Sequence, residues 1–194
     1  MLKEMGADIY GHGTNSVRIM GRKQLTGCEH WIRPDHIEAG TWAIAAAASN
    51  GRIMIHGVME EDFWQIRRIL AKMGVIFQKS NCRLHMDHSG VICFVAKRGE
   101  LVSAEKIQAG LWPAFPTDLM SPAIVLATQC NGTTLAHDWM YEGRMFFVDK
   151  LIKMGAKIIL ADPHRVIISG PTKLYGRTNS SPDIRSGIAW LLLL

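Results

Sequence analysis

Asp118 stands in the string "WPAFPTDLMSPAIVLATQ", residues 112–129, between a proline-rich loop and a run almost without charge. Two kinds of chemistry suit a carboxylate there. It can cap a helix by accepting hydrogen bonds from the free N–H groups of the first turn. It can also be a reactive base in an otherwise apolar wall, taking a proton from a substrate hydroxyl. Two cations could keep it company. Arg144, in "YEGRMFFVDKL", falls near a predicted helix start, where the helix dipole favours the opposite charge. A cation there makes sense if it leans into an anion site, or if it pairs on the surface with Glu142 or Asp149. Arg185 follows closely on Asp183 and could grip a carboxylate bidentately or simply pair with Asp183. Asp35 and Asp183 read as helix caps. His12, His30, His36, His85, His88, His137 and His164 show no metal-ligand spacing, so no metal is assigned. Cys28, Cys82, Cys93 and Cys130 show no CxxC pair and are expected to be free thiols.

An internal repeat supplies the elements that position these residues. The strings "LKEMGADI", "LAKMGVIF" and "LIKMGAKI" each read as a helix end. In each, a glycine (Gly6, Gly74, Gly155) sits just past the last turn and leads into a strand. A second strand-like run follows each one: "VRIMG", "RLHMD" and "RVIISG". Next come "RPDHIEAGTWAIAAAASNGRIMIHG", "FPTDLMSPAIVLATQCNGTTLAHD" and "SPDIRSGIAWLLLL". Each has an Asp after a proline-containing turn, then an apolar helix; the first two continue with Asn-Gly and a short strand. His56 and His137 each precede their closing glycine by 18 residues, and the helical spans Glu60 to Gly74 and Tyr141 to Gly155 match in length. In this register Arg144 replaces Phe63, and Arg185 falls where the second copy has Met120.

Such register predicts repeated units of about 1–57, 58–138 and 139–194 in a single domain. The third copy stops before a counterpart of Asn50, so the domain is expected to be incomplete at its C-terminus. "TWAIAAAAS" and "SPAIVLAT" are apolar all round, which predicts helices buried on every side, whereas "EEDFWQIRRILAKM" is amphipathic and belongs outside them. The expected fold is α/β: βαβαββ-type units around buried parallel helices. Helices that begin on one side bring their free N–H groups and positive dipole ends together, which attracts phosphate or carboxylate.

Composition narrows the partners. At 48% hydrophobic and 20% charged residues the chain is an ordinary globular one rather than a disordered one. The net charge of +5 favours anions, but the basic residues are scattered. No run reaches the length of a nucleic-acid arm, which leaves a phosphorylated small molecule as an equally good partner. "MLKEMGADIY" lacks the apolar core of a signal peptide, and "AWLLLL" is too short to span a bilayer. No membrane partner is expected, and the expected location is cytoplasmic.

The strings "RPDHIEAGTWAIAAAASNG", "PAFPTDLM", "YEGRMFFVDKLIKMGA" and "SPDIRSGIA" resemble the enolpyruvyl transferase family, and within it the UDP-N-acetylglucosamine 1-carboxyvinyltransferases of peptidoglycan precursor synthesis. The resemblance covers essentially the whole chain. It implies two similar domains of three units each, an inside-out α/β barrel architecture, with the active site between the domains. This chain would be most of one of them. The resemblance makes Asp118 the base for the sugar 3-hydroxyl. Thr117 and Asp118 would contact the amino sugar, and Met140 and Tyr141 would lie against the nucleotide. Arg144 and Arg185 would hold phosphoenolpyruvate or order the closed site, with Asp183 beside them. No cofactor is implied. The family's Cys-bearing loop lies in the other domain, which is therefore an expected partner. His36, Gly143 and Phe147 depart from the usual Arg, Asn and His. The alternative expectation is a non-catalytic UDP-sugar-binding descendant of the same fold.

Overall fold

The computed structural model describes residues 1–80, 91–178, 180–181 and 184–191. The "RLHMD" run, Cys82, His85, His88 and Asp183 lie outside the described residues. The chain divides into two compact units, Met1–Arg33 and Pro34–Leu194.

The smaller unit is built on a hairpin of β1 (Asp8–Tyr10) and β2 (Arg18–Met20), paired antiparallel with Asp8 opposite Met20. Gly11, His12 and Gly13 lie in its connecting turn, as the sequence suggests. Arg22 grips the Asp8 carboxylate through two hydrogen bonds of 2.9 Å, which hold that carboxyl below its ordinary range.

The larger unit carries α1 (His36–Ala48), β3 (Arg52–Met59), α2 (Glu60–Lys72), β4 (Val75–Ser80), β5 (Val91–Arg98) and β6 (Lys106–Gln108). A 3-10 turn, Thr117–Leu119, leads into α3 (Met120–Ala127) and β7 (Gly132–His137). A second 3-10 turn, Arg144–Phe147, leads into α4 (Val148–Lys153), β8 (Lys157–Asp162), β9 (Arg165–Gly170) and α5 (Ile184–Leu191). Two sheets share one plan. β3-β5-β4 and β7-β9-β8 have the same antiparallel order, and β6 joins the second by pairing parallel to β7.

Side-chain periodicity explains how these elements pack. α2 buries Phe63, Ile66 and Leu70 along one stripe, and Phe63 stacks on Phe94 at 4.8 Å between ring centres. Every residue of α3 is buried. α1 departs from the expectation of burial on every side. It turns Gly40, Ala43, Ile44 and Ala47 inward but leaves Glu38 exposed and Trp42 48% exposed. An indole whose N–H reaches Glu38 Oε1 at 3.5 Å can sit at the margin of a core without an orphaned donor. Where α1 meets the turn before α3, Gly40 allows a close approach. A Cβ at that position would lie 2.4 Å from Leu119 Cδ1.

The glycines just past the ends of α2 and α4 behave as read, with φ of +91° at Gly74 and +104° at Gly155. The helical span from Tyr141 is less regular than its first-copy counterpart. Gly143 has φ +76°, so the chain enters a 3-10 turn at Arg144 and α4 is only six residues long. Asn is the other residue that tolerates this conformation, which accounts physically for a Gly–Asn exchange at that position. Cys28 and Cys130 are free thiols, but Cys93 is disulfide-bonded, contrary to the expectation for all four.

Candidate functional site

The larger unit brings Asp118, Thr117, Arg144 and Arg185 together from three separate elements. Pro116 precedes the 3-10 turn in extended backbone, and the turn presents Thr117 and Asp118 ahead of α3. Neither this turn nor α3 receives a side-chain cap. Capping is thus not what Asp118 does. Both its carboxylate oxygens are taken by arginines instead: Arg144 Nη1 donates to Oδ1 at 3.2 Å, and Arg185 Nη2 donates to Oδ2 at 2.9 Å. Arg185 is the second residue of α5, so the starts of α3 and α5 lie side by side at this point.

Arg144 is the better anchored of the two arginines, at 14% exposed against 38% for Arg185. Its Nη1 also donates to the Thr117 carbonyl at 2.8 Å and to Thr117 Oγ1 at 3.0 Å. Its guanidinium lies over the Tyr141 ring, 4.4 Å from the centroid, in a cation–π contact. A surface pairing of Arg144 with Glu142 or Asp149 gives way to this inward arrangement. The αL conformation of Gly143 starts the 3-10 turn that carries Arg144.

Asp138 was not among the sequence-derived site residues, although it belongs to this cluster. It follows β7, is wholly buried, and accepts a hydrogen bond at Oδ1 from the Met140 N–H at 3.0 Å. Its Oδ2 accepts the Thr117 hydroxyl and lies 4.0 Å from Arg144 Nε. The Asp138 main chain is clamped to the turn between β8 and β9. Its N–H donates to the His164 carbonyl at 2.9 Å, and its carbonyl accepts from His164 Nδ1 at 2.8 Å. The only sequence signal for Asp138 was its place beside the register-matched His137, where the first copy has Gly57. Met140 is half-buried beside it, and Tyr141 remains 51% exposed with Arg144 over its ring. Asp183 lies outside the described residues.

His36 is the first residue of α1 and lines a small cavity of about 50 Å³ with Asp62, Gln65 and Trp112. Phe147 is 2% exposed, as an apolar replacement requires. Asp35 does cap α1, accepting from Ile37 N at 2.7 Å and Glu38 N at 3.4 Å. Among the described residues, no three of His, Cys, Asp or Glu converge on a metal-sized site, and no helix is long and apolar enough to cross a membrane.

Chemically, the cluster is a reachable carboxylate, 33% exposed, with a hydroxyl beside it and two cations that can hold an anion. The family model for EPSP synthase (3-phosphoshikimate 1-carboxyvinyltransferase) matches residues 1–193. The UDP-N-acetylglucosamine 1-carboxyvinyltransferase of Treponema denticola is 42% identical over 192 residues, covering 99% of this chain and 45% of that protein. That of Bradyrhizobium diazoefficiens is 43% identical over 191 residues, covering 98% and 44%. The chain spans a little under half the length of these curated relatives. Among solved structures, the enolpyruvyl transferase NikO from Streptomyces tendae superposes with a TM-score of 0.77 at 22% identity, over 98% of this chain and 43% of that one. EPSP synthase from Acinetobacter baumannii superposes at 0.67 and 17%, over 98% and 46%. These two likenesses show the α/β enolpyruvyl transferase fold.

Proposed function

This chain belongs to the EPSP synthase family, and from that premise we propose that it is the base-bearing part of a UDP-N-acetylglucosamine 1-carboxyvinyltransferase. The observation that carries the reading is Asp118 held between Arg144 and Arg185, with Thr117 alongside, instead of capping α3. In this reading Thr117 and Asp118 meet the amino sugar, and Met140 and Tyr141 meet the nucleotide. Arg144, Arg185 and Asp183 flank phosphoenolpyruvate. The chain forms one enolpyruvyl-transferase-like domain of three repeats, about 1–57, 58–138 and 139–194. It works with a second domain that carries the Cys loop. In this reading it works in the cytoplasm, in peptidoglycan precursor synthesis.

The reaction begins when Asp118 removes the proton from the sugar 3-hydroxyl. The sugar oxygen bonds to C2 of phosphoenolpyruvate while C3 gains a proton, and a tetrahedral intermediate forms. Loss of phosphate and of a C3 proton restores the double bond as an enol ether. The arginines have two tasks. They hold Asp118 until substrate arrives, and an incoming carboxylate or phosphate then competes for the same donors. Transfer of the arginines to that anion releases Asp118 oxygens toward the hydroxyl. Exclusion of water by a closing second domain strengthens each of these interactions.

One observation favours a non-catalytic alternative. Gly143 and Phe147 stand where the resemblance leads one to expect Asn and His, and Phe147 is buried at 2% exposure with no polar atom to offer a substrate. The test is to produce the complementary portion of the Treponema denticola relative separately and assemble it with this chain. Phosphate release from phosphoenolpyruvate is then followed with UDP-N-acetylglucosamine present. Turnover supports the transferase reading. UDP-sugar binding without any release, despite verified folding and assembly, supports the alternative.

A further inference from the structure

The geometry points to Asp138 as a positioning residue that holds Asp118 in place through Thr117 and Arg144. The inference rests on the reading of Asp118 given above. A wholly buried carboxylate persists only when its oxygens are supplied with donors. Asp138 has the Met140 N–H on one oxygen and the Thr117 hydroxyl on the other. Its main chain is tied at both polar atoms to His164, in the turn between two paired strands. Asp138 is therefore the fixed end of the chain of contacts, and Thr117 is the end that follows. With its hydrogen committed to Asp138, the Thr117 hydroxyl turns a lone pair to Arg144 Nη1, 3.0 Å away. The same Nη1 then reaches Asp118 Oδ1 at 3.2 Å. Arg144 Nε, 4.0 Å from Asp138 Oδ2, faces the same buried negative charge.

The first repeat offers an internal control. In the His56–His137 register the Asp138 position is Gly57, at a β-bulge in the β3–β5 pairing, and the Arg144 position is Phe63. There, Asp35 caps its helix. The buried acid, the arginine and the uncapped aspartate are present together in one copy and absent together from the other.

Asp138→Asn keeps the size of the side chain but leaves it one acceptor oxygen. Either the Met140 N–H or the Thr117 hydroxyl loses its acceptor. If the amide NH₂ faces Thr117, it competes with Arg144 for the same hydroxyl lone pairs. The experiment is nitrogen-15 NMR of the full chain, reading solvent exchange at the Arg144 Nη–H groups, assigned by their loss in Arg144→Lys. Asp138→Asn and, separately, Thr117→Val should each speed exchange by about ten-fold, the scale of one lost hydrogen bond. The double variant should add nothing further if both act along one line. In the assembled enzyme, Asp138→Asn should lower kcat by about 100-fold, as misplacement of a catalytic group does. KM for UDP-N-acetylglucosamine should stay near wild type.

Unchanged Arg144 exchange in folded variants overturns the inference, as does a wild-type kcat for Asp138→Asn. If Asp138→Asn does not fold, Thr117→Val decides the exchange test alone. If Arg144 responds but the wild-type assembly never turns over, the transferase reading fails and the control of Arg144 by Asp138 stands.

Discussion

Asp35 and Asp118 head the two apolar helices α1 and α3, at matching places in two copies of one repeat, yet their carboxylates are used differently. Asp35 sits in extended backbone and satisfies two N–H groups of its own helix. Asp118 lies inside a 3-10 turn, caps nothing, and meets two arginines brought from other elements. The surroundings differ in the same sense. Phe63 stacks among aromatic rings in one copy, while Arg144 turns toward Asp118 in the other. A capping aspartate is a local solution that any helix start accepts. Once a 3-10 turn takes over the helix entry, the same residue type is free for a partner that the local backbone does not supply.

Four measurements break or sharpen this contrast. The largest effect is expected from Asp118→Asn in the assembled enzyme. Its turnover should fall by about 10²- to 10⁴-fold, the span of general-base catalysis, whereas Asp35→Asn should leave turnover near wild type. Equal losses from the two would end the distinction. Next, Arg185→Ala should raise KM for phosphoenolpyruvate by about 10- to 100-fold, as loss of a charge-assisted hydrogen bond implies. An unchanged KM would mean that the arginine serves Asp118 alone. In thermal unfolding, Asp35→Ala should cost about 1 kcal/mol through its lost cap. Asp118→Asn should show no cap loss, and a drop as large as that of Asp35→Ala would restore capping as its role.

The smallest effect concerns how tightly the second copy is sealed. With its thiol raised by burial to about 11, Cys130 should stay unalkylated at pH 8 in the folded chain, while exposed Cys28 reacts. Thiolate appears at Cys130 only as pH climbs toward that value. Labelling of both at equal rates would show that the end of α3 opens readily.

Much of this was legible in the sequence because repeats expose their own exceptions. Arg144 and Arg185 stood out as cations where sister copies carry Phe63 and Met120, and the structure joins both to Asp118. The glycine stops and the Asn-Gly strand entries were equally readable, since each reflects local backbone chemistry. Asp138 was hidden for the opposite reason. Its partners Thr117 and His164 are distant in sequence and meet only through sheet pairing and the 3-10 turn. The exposure of Trp42 was unreadable on the same ground: an apolar helix looks alike at the margin and at the centre of a core. Gly143 shortened a helix that periodicity alone extended, because a positive φ outweighs the pattern around it.

Gly40 of α1 carries a consequence for how this site tolerates change. Its missing side chain leaves room for Leu119, the fully buried residue next to Asp118, and even one added methyl group would collide with it. Random mutagenesis scored for loss of activity should therefore recover substitutions on a helix that touches no reactant. The genetic boundary of the site would then enclose more of the chain than its chemistry does, and drift in the first repeat would be restrained by the second.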